Sequence, residues 1–181
     1  MNEDQTAPRV TLVLGGARSG KSRYAEALVR DLTPPGGTRL YVATGQALDD
    51  EMRLRIAAHR AQRGADWRTL DIPLDLAEAL QSEARAGCAV LVDCLTLWLS
   101  NLMHAGRDIA AATQVLAAAL AHAVCPVVLV ANEVGLGIVP DNALARAFRD
   151  HAGHLNQRIA AAADRVVFMA AGLPLTLKER S

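Results

Sequence analysis

Eight residues near the start of the chain, Gly15 to Ser22, constrain its fold more than any other segment. They read GGARSGKS and match the pattern GxxxxGK[ST]. The run Val10 to Leu14 before them is short and β-rich, and Lys21 to Leu32 after them has helical apolar spacing. A strand, a glycine-rich loop and a helix in this order form a P-loop, whose backbone N–H groups and helix N-terminus bind phosphate. The sequence therefore predicts a site for a nucleoside triphosphate.

Every residue of this loop is expected to line the nucleotide. Lys21 reaches the outer phosphates, and the Ser22 hydroxyl ligates Mg²⁺. A glycine-rich turn with a chance Lys-Ser pair is the alternative, but it does not account for the flanking strand and helix. The dinucleotide-binding pattern GxGxxG is absent. The predicted contacts are Gly15, Gly16, Ala17, Arg18, Ser19, Gly20, Lys21 and Ser22.

The rest of the chain alternates between strand-like and helix-like segments. Further strands are predicted at Arg39 to Thr44, Trp67 to Ile72, Ala89 to Cys94 and Val127 to Val130. Helices are predicted at Asp49 to Arg63, Leu74 to Ala86, Leu95 to His104, Ile109 to Ala123, and from an N-cap at Asp141 to about Ala163, before a hairpin made of Arg165 to Ala170 and Leu175 to Leu177.

This alternation predicts an α/β fold with a mostly parallel, doubly wound sheet and a C-terminal hairpin. We expect residues 1–8 to be a disordered tail and residues 9–181 to form a single nucleotide-binding catalytic domain. Ligands of such sheets lie beyond the carboxyl ends of the strands. The residues at that edge are the Gly15 loop, Thr44, Asp93 and Asn132-Glu133.

Composition and charge exclude several other classes of protein. Apolar residues make up 51% of the chain but aromatic residues only 3%, so small aliphatic side chains must fill the core. The 19 basic and 19 acidic residues leave no overall field to attract nucleic acid or an anionic membrane. With no apolar run long enough for a membrane span and no signal peptide, we expect a cytoplasmic protein whose three cysteines are reduced and mostly buried.

Asp93 is a candidate metal ligand, because it ends the almost unbroken apolar strand that begins at Ala89. Carboxylates in this position hold Mg²⁺ in P-loop enzymes. The alternative is that Asp93 caps the following helix. The presence of the P-loop favours the metal.

The helix predicted between Asp49 and Arg63 carries an unusual charged row. Arg55, His59 and Arg63 recur at intervals of four and share one face. Neutral imidazole is a nucleophile and arginine binds phosphate oxygens in pairs, so this row suits attack on phosphorus. An ordinary solvated helix face explains the same pattern, and the spacing alone does not decide. The remaining histidines, His104, His122, His151 and His154, are interpreted as surface or packing residues.

Three segments together resemble one family, the bifunctional adenosylcobinamide kinases and adenosylcobinamide-phosphate guanylyltransferases. They are GGARSGKSRYAE at Gly15 to Glu26, YVATGQALDDEM at Tyr41 to Met52, and the block from Ala131 to Asp164 that begins ANEVGLGIVP. The resemblance extends from about Val10 to the closing hairpin. It implies a RecA-like P-loop NTPase fold and a cytoplasmic homotrimer that acts in cobalamin biosynthesis.

The resemblance also implies two reactions at one nucleotide site. ATP or GTP phosphorylates adenosylcobinamide, and GTP then donates GMP to adenosylcobinamide phosphate through a GMP-histidine. Lys21 and His59 are the implied catalytic residues, and Ser22 and Asp93 the implied Mg²⁺ ligands. His59 is the single candidate histidine in its helix, where relatives can carry two. The further GTP contacts implied by the family are Thr44, Gly45, Gln46, Arg60, Ala61, Gln62, Arg63, Asp71 and Asp93.

Two rival functions are consistent with the P-loop alone. A monofunctional small-molecule kinase would use Lys21, Ser22 and Asp93 but would not need His59. A RecA-like regulatory or motor module would hydrolyse the nucleotide and bind a partner. The neutral net charge disfavours a nucleic-acid motor.

Overall fold

A seven-stranded sheet forms the centre of the part of the chain that the structure describes. The structure is a computed structural model, and it describes residues 8–46, 50, 53–54, 64 and 66–180. The strands are β1 (Val10–Gly15), β2 (Thr38–Ala43), β3 (Trp67–Asp71), β4 (Cys88–Asp93), β5 (Val127–Asn132), β6 (Arg165–Ala170) and β7 (Leu173–Glu179). Their order across the sheet is β3-β2-β4-β5-β1-β6-β7.

Six of these strands are parallel, and β7 pairs antiparallel with β6. The predicted mostly parallel sheet with a closing hairpin is confirmed. Pro174 lies within β7, which has β6 as its single neighbour. Proline is tolerated on such an edge strand because its missing N–H does not interrupt a ladder on the open side.

Helices cover both faces of the sheet. They are α1 (Lys21–Leu32), α2 (Leu76–Glu83), α3 (Leu95–His104), α4 (Ile109–Ala121) and α5 (Ala143–Ala162). The face covered by α1 has a core that includes Ala25 and Val29, and the face covered by the other four has a larger core around Trp98 and Ile159. Burial on both faces explains why the central strands read as continuous apolar runs.

Some helix boundaries differ from those predicted, because tertiary contacts use backbone groups that a longer helix would need. Helix α2 begins at Leu76 rather than Leu74. The Leu74 carbonyl accepts a hydrogen bond of 2.6 Å from the indole Nε1 of Trp98. The contact holds Leu74 against α3, outside the helix.

The predicted N-cap of the long helix was wrong by one residue. Asn142, not Asp141, caps α5, because its side-chain oxygen accepts a hydrogen bond of 2.7 Å from the Ala145 N–H. Arg146 donates to the carbonyl oxygens of Pro140 and Asp141 at 3.0 and 2.7 Å. These contacts hold Asp141 in the preceding loop.

The three cysteines are free thiols, as predicted. Cys94 and Cys125 are buried and Cys88 is half-buried. Within the described ranges, no helix combines the length and the hydropathy that crossing a bilayer demands.

Candidate active site

The P-loop joins β1 to α1 as the sequence predicts. Two of its glycines, Gly15 and Gly20, occupy positions where a side chain would clash or strain the backbone. A Cβ at Gly15 would lie 2.5 Å from the Met169 carbonyl oxygen and 2.8 Å from the Ser19 hydroxyl. Gly20, just before α1, has a left-handed φ of 93°. The Gly172 N–H, in the turn between β6 and β7, donates to the Ser19 carbonyl at 3.0 Å. The closing hairpin therefore supports the loop from one side.

Lys21 is buried beneath this loop. Its ammonium donates to the Gly16 carbonyl at 2.5 Å and lies 3.5 Å from the Ser19 hydroxyl. Burial lowers the pKa of Lys21, while the nearby acidic groups of Cys94 and Asp93 act in the opposite direction. The loop therefore holds a partly desolvated cation close to the place where phosphates bind.

Asp93 lies at the end of β4, separated from β1 by the single strand β5. Its carboxylate accepts a hydrogen bond of 2.7 Å from the hydroxyl of Tyr41, which is buried. Burial, and then the charge of Asp93, raise the pKa of Cys94 to about 11, so this thiol is protonated at neutral pH. The same carboxylate acts on Lys21, so Asp93 lies near the loop cation.

Ser22 and Asp93 fit a magnesium ion by the chemistry of their donors. Mg²⁺ prefers hard oxygen ligands, and in nucleotide enzymes it takes one or two from the protein and the rest from phosphates and water. Ser22 is the second residue of α1 and is half-buried. In the described residues, no three His, Cys, Asp or Glu side chains converge as in an all-protein metal cage.

Thr44 directly follows β2, at the sheet edge where it is predicted, and its side chain makes hydrogen bonds within the protein. Its side chain is fully buried, and its hydroxyl donates to the Cys94 carbonyl at 2.7 Å and accepts from the Cys94 N–H at 2.9 Å. Its own carbonyl accepts from the Asn101 amide at 2.7 Å. Thr44 therefore braces the turn after Asp93, and its predicted contact with GTP stays a prediction.

Three further predicted GTP contacts also lie at the carboxyl ends of strands, but of strands remote from β1: Gly45, Gln46 and Asp71. Gly45 is half-buried and Gln46 exposed, just after β2. Asp71 is exposed at the end of the edge strand β3, four strands from β1. Four spacings place it roughly 19 Å from the P-loop strand. The structure therefore does not bring Asp71 together with Lys21, and a contact with GTP would have to involve the end of the nucleotide remote from the loop.

The proposed nucleophile lies outside the described residues. His59, Arg60, Ala61, Gln62 and Arg63 all belong to that part of the chain. The roles predicted for them therefore stay predictions.

Two polar residues at the end of β5, Asn132 and Glu133, are predicted at the sheet edge, but no role was predicted for them. Asn132 pairs with Gly15 in the register of β1 and β5, and the Glu133 N–H donates to the Gly15 carbonyl at 3.0 Å. The sequence signal for these two residues was a polar pair at the end of a buried strand. The sequence does not show that this strand, β5, pairs with the P-loop strand β1.

The other histidines are exposed or half-buried residues, as predicted. Nδ1 of His104 lies 2.7 Å from the Ser100 carbonyl, and Nδ1 of His122 lies 2.9 Å from the Ala118 carbonyl. Both rings are exposed and bonded to their own helices. His151 is half-buried and His154 exposed on α5.

Solved structures with a similar fold are P-loop proteins. The flagellar accessory protein FlaH from Methanocaldococcus jannaschii has a TM-score of 0.54 at 12% identity, covering 95% of this chain and 79% of that one. A second solved structure, an ATPase domain, has a TM-score of 0.57 at 12% identity, covering 96% of this chain and 78% of that one. At these identities the similarity shows the fold alone, which is RecA-like.

Sequence comparison gives a closer relationship. The protein CobP of Pseudomonas aeruginosa, a bifunctional adenosylcobalamin biosynthesis protein, is 50% identical over 169 residues, which are 92% of this chain and 96% of the relative. CobU of Salmonella typhimurium, described in the same words, is 44% identical over 182 residues, covering 92% and 98%. The family model CobU, cobinamide kinase / cobinamide phosphate guanyltransferase, matches residues 11–177. This chain therefore belongs to the cobinamide kinase / cobinamide phosphate guanyltransferase family.

Proposed function

We propose that this protein carries out two successive reactions at one nucleotide site. In the first, the hydroxyl of the aminopropanol arm of adenosylcobinamide is phosphorylated by ATP or GTP. In the second, GTP transfers GMP to adenosylcobinamide phosphate, giving adenosylcobinamide-GDP and pyrophosphate. The observation that carries the proposal is that Lys21, at the end of the P-loop, lies near the Asp93 carboxylate, with the single strand β5 between their two strands, in a chain of this family.

The phosphorylation step depends mainly on positioning. The loop from Gly15 to Ser22 holds the triphosphate through backbone N–H groups, and the Lys21 ammonium neutralises the outer phosphates. Ser22 and Asp93 would hold Mg²⁺, which would balance negative charge on the phosphates. Desolvation of Lys21 strengthens its attraction to phosphate, because a partly buried cation is poorly screened by water.

The second step needs a nucleophile at the α-phosphorus, and we assign it to His59. A neutral imidazole is abundant near pH 7, because its unperturbed pKa is about 6.5. The imidazole nitrogen bonds to the α-phosphorus, the α,β-bridging P–O bond breaks, and pyrophosphate leaves. The phosphate of the acceptor then displaces the imidazole and takes the GMP.

Mass spectrometry of the intact protein after incubation with GTP and Mg²⁺ tests this function. We expect the mass to rise by one GMP, and we expect adenosylcobinamide phosphate to remove it again. ATP should leave no such adduct if the second step is specific for the guanine nucleotide. Phosphorylation of adenosylcobinamide without any adduct would instead show a monofunctional kinase.

Replacing the proposed nucleophile should separate the two reactions. We expect His59→Ala to retain the kinase step and to lose both the GMP adduct and guanylyl transfer, because the kinase step is direct transfer from the γ-phosphate. The adduct on the parent protein should behave as a phosphoramidate, labile in acid and stable in base.

Two variants serve as controls for His59→Ala. His104→Ala should change neither reaction, since that exposed ring is bonded to its own helix. Lys21→Ala should lose both reactions, because one phosphate cradle serves them. An adduct that persists in His59→Ala would show that another residue is the nucleophile.

A further inference from the structure

Glu133 is an acidic residue at the site to which neither reaction has so far given a role. It is the first residue after β5, and β5 lies between β4, which ends at Asp93, and β1, which leads into the P-loop. The Glu133 N–H donates to the Gly15 carbonyl at 3.0 Å. Neighbouring strands lie roughly 4.8 Å apart. Glu133 is therefore tied to the start of the phosphate-binding loop, on the side of the proposed metal ligand Asp93.

The loop after β5 holds the Glu133 carboxylate in place. Its Oε1 accepts a hydrogen bond of 2.6 Å from the Gly135 N–H. A Cβ at Gly135 would lie 2.9 Å from the same oxygen, so a side chain at this position would make the carboxylate shift. Glu133 is half-buried, and in the part of the chain that the structure describes this backbone N–H is the sole donor to its carboxylate. The carboxylate is oriented, yet it is not neutralised by a described cation.

The two reactions differ in what they require of an acceptor. The kinase step starts from an alcohol, which carries a proton that must leave as the oxygen bonds to phosphorus. Guanylyl transfer starts from a phosphate monoester, which is largely ionised at neutral pH because its second pKa is about 6. A base near the outer phosphates therefore serves the first reaction and has nothing to remove in the second.

We propose that Glu133 is the general base of the kinase step, an inference that rests on the function proposed above. The Glu133 carboxylate takes the proton of the substrate hydroxyl as its oxygen bonds to the γ-phosphorus. The β,γ-bridging P–O bond breaks, and the nucleoside diphosphate leaves with that electron pair. The Glu133 backbone is bonded to Gly15, and the Lys21 ammonium, which pairs with the outer phosphates, donates to the next carbonyl, that of Gly16, at 2.5 Å. A carboxylate oriented by Gly135 on this backbone is placed to act beside the γ-phosphate.

Glu133→Gln tests the assignment, because glutamine keeps the shape of glutamate and its acceptor oxygen but is not basic. General base catalysis typically contributes 10²–10⁴-fold, so we expect the kinase kcat to fall by about 100-fold or more. Guanylyl transfer to preformed adenosylcobinamide phosphate, measured on the same preparation, should be unchanged, and so should the affinity for GTP. The matched control is Asp141→Asn, an exposed carboxylate in the same loop, which should leave both reactions unchanged.

Gly135→Ala is a second test, since the added methyl group must displace the Glu133 carboxylate. We expect it to lower the kinase kcat as well and to spare guanylyl transfer. Full kinase activity in Glu133→Gln would overturn the proposal, and so would an equal loss of both reactions, which would place Glu133 in the shared phosphate cradle. A parent protein that phosphorylates no corrinoid would instead count against the proposed function.

Discussion

Asp93 owes its orientation to a buried tyrosine. The Tyr41 hydroxyl donates to the carboxylate at 2.7 Å, and the Tyr41 ring packs edge-on against Trp67 with ring centroids 6.1 Å apart. The Arg30 guanidinium, which comes from α1, lies 5.8 Å from the centre of the same Trp67 ring. The packing against Trp67 holds the Tyr41 ring in place, and the Tyr41 hydroxyl in turn orients the Asp93 carboxylate.

Tyr41→Phe should therefore weaken the use of Mg²⁺ without unfolding the protein. Loss of a hydrogen bond to a metal-ligating side chain typically costs 10- to 100-fold in metal affinity or activity. We expect the Mg²⁺ concentration for half-maximal kinase activity to rise by about tenfold or more, with kcat largely recovered at saturating Mg²⁺. Titration of the kinase rate with Mg²⁺ measures this shift.

The second tyrosine of the chain provides the matched control. Tyr24 is half-buried on α1 and packs against the same face of the sheet, and its hydroxyl makes no hydrogen bond to the described residues. Tyr24→Phe should leave the Mg²⁺ titration unchanged. If Tyr41→Phe gives the parent titration curve, the tyrosine does not position Asp93.

At the scale of secondary structure, α5 and the loop before it form one unit. The Asn142 side chain caps the first turn, and Arg146 binds the carbonyl groups of the two residues before it. At the other end, the Lys178 ammonium donates to the carbonyl oxygens of Ala160, Ala161 and Ala163 at 2.5 to 3.0 Å. A cation there satisfies carbonyl groups that no helical N–H reaches and opposes the negative end of the helix dipole. The hairpin strand β7 thereby stabilises the end of α5.

The N-cap assignment predicts a difference between two adjacent residues. Asn142→Ala removes the cap and should lower the free energy of unfolding by about 1 kcal/mol. Asp141→Ala should cost much less, because the Asp141 contact to Arg146 comes from its backbone carbonyl and survives the substitution. Urea denaturation of the two variants and the parent measures both changes. A larger loss of unfolding free energy for Asp141→Ala than for Asn142→Ala would show that Asp141 is the cap.

At the scale of the whole molecule, the edge of the sheet that carries the site also carries exposed apolar side chains. Leu136, Ile138 and Val139, in the loop after β5, are 81%, 97% and 60% exposed, and Leu144 at the start of α5 is 68% exposed. Exposed apolar residues grouped in this way are typical of interaction surfaces. Such a surface fits an assembly of several copies.

We predict a homotrimer, as the family resemblance implies. Light scattering coupled to gel filtration should give three times the 19.2 kDa mass of the chain at micromolar concentration. We expect the homotrimer to be the active form, so it should still be the main species at the protein concentrations used in activity assays. A monomer with full activity in both reactions would exclude this prediction.

Most of the elements and part of the site could be predicted because their signals are local. The P-loop is a contiguous pattern between a strand and a helix, and Asp93 ends an apolar run. The start of α2 was less predictable, since the Trp98 indole decides it through a contact with Leu74, 24 residues away. The cap of α5 is a local contact, but Asp141 and Asn142 are adjacent and both residue types cap helices, so the pattern alone did not separate them. The sequence does not reveal that the Thr44 hydroxyl is bonded to the backbone of Cys94, because the two residues are 50 positions apart.

The sequence by itself determined that this chain is an α/β protein with a phosphate-binding loop at Gly15 to Ser22, because hydrophobic period and glycine spacing act over a few residues. Tertiary structure alone decided which strands are neighbours. The P-loop strand β1 lies between β5 and β6, which follow it by more than 100 residues. Such pairing is set by how helices cross over the sheet and by which apolar faces bury each other, and no local pattern encodes it. It is this pairing that places Glu133 beside the phosphate loop and leaves Asp71 four strands away.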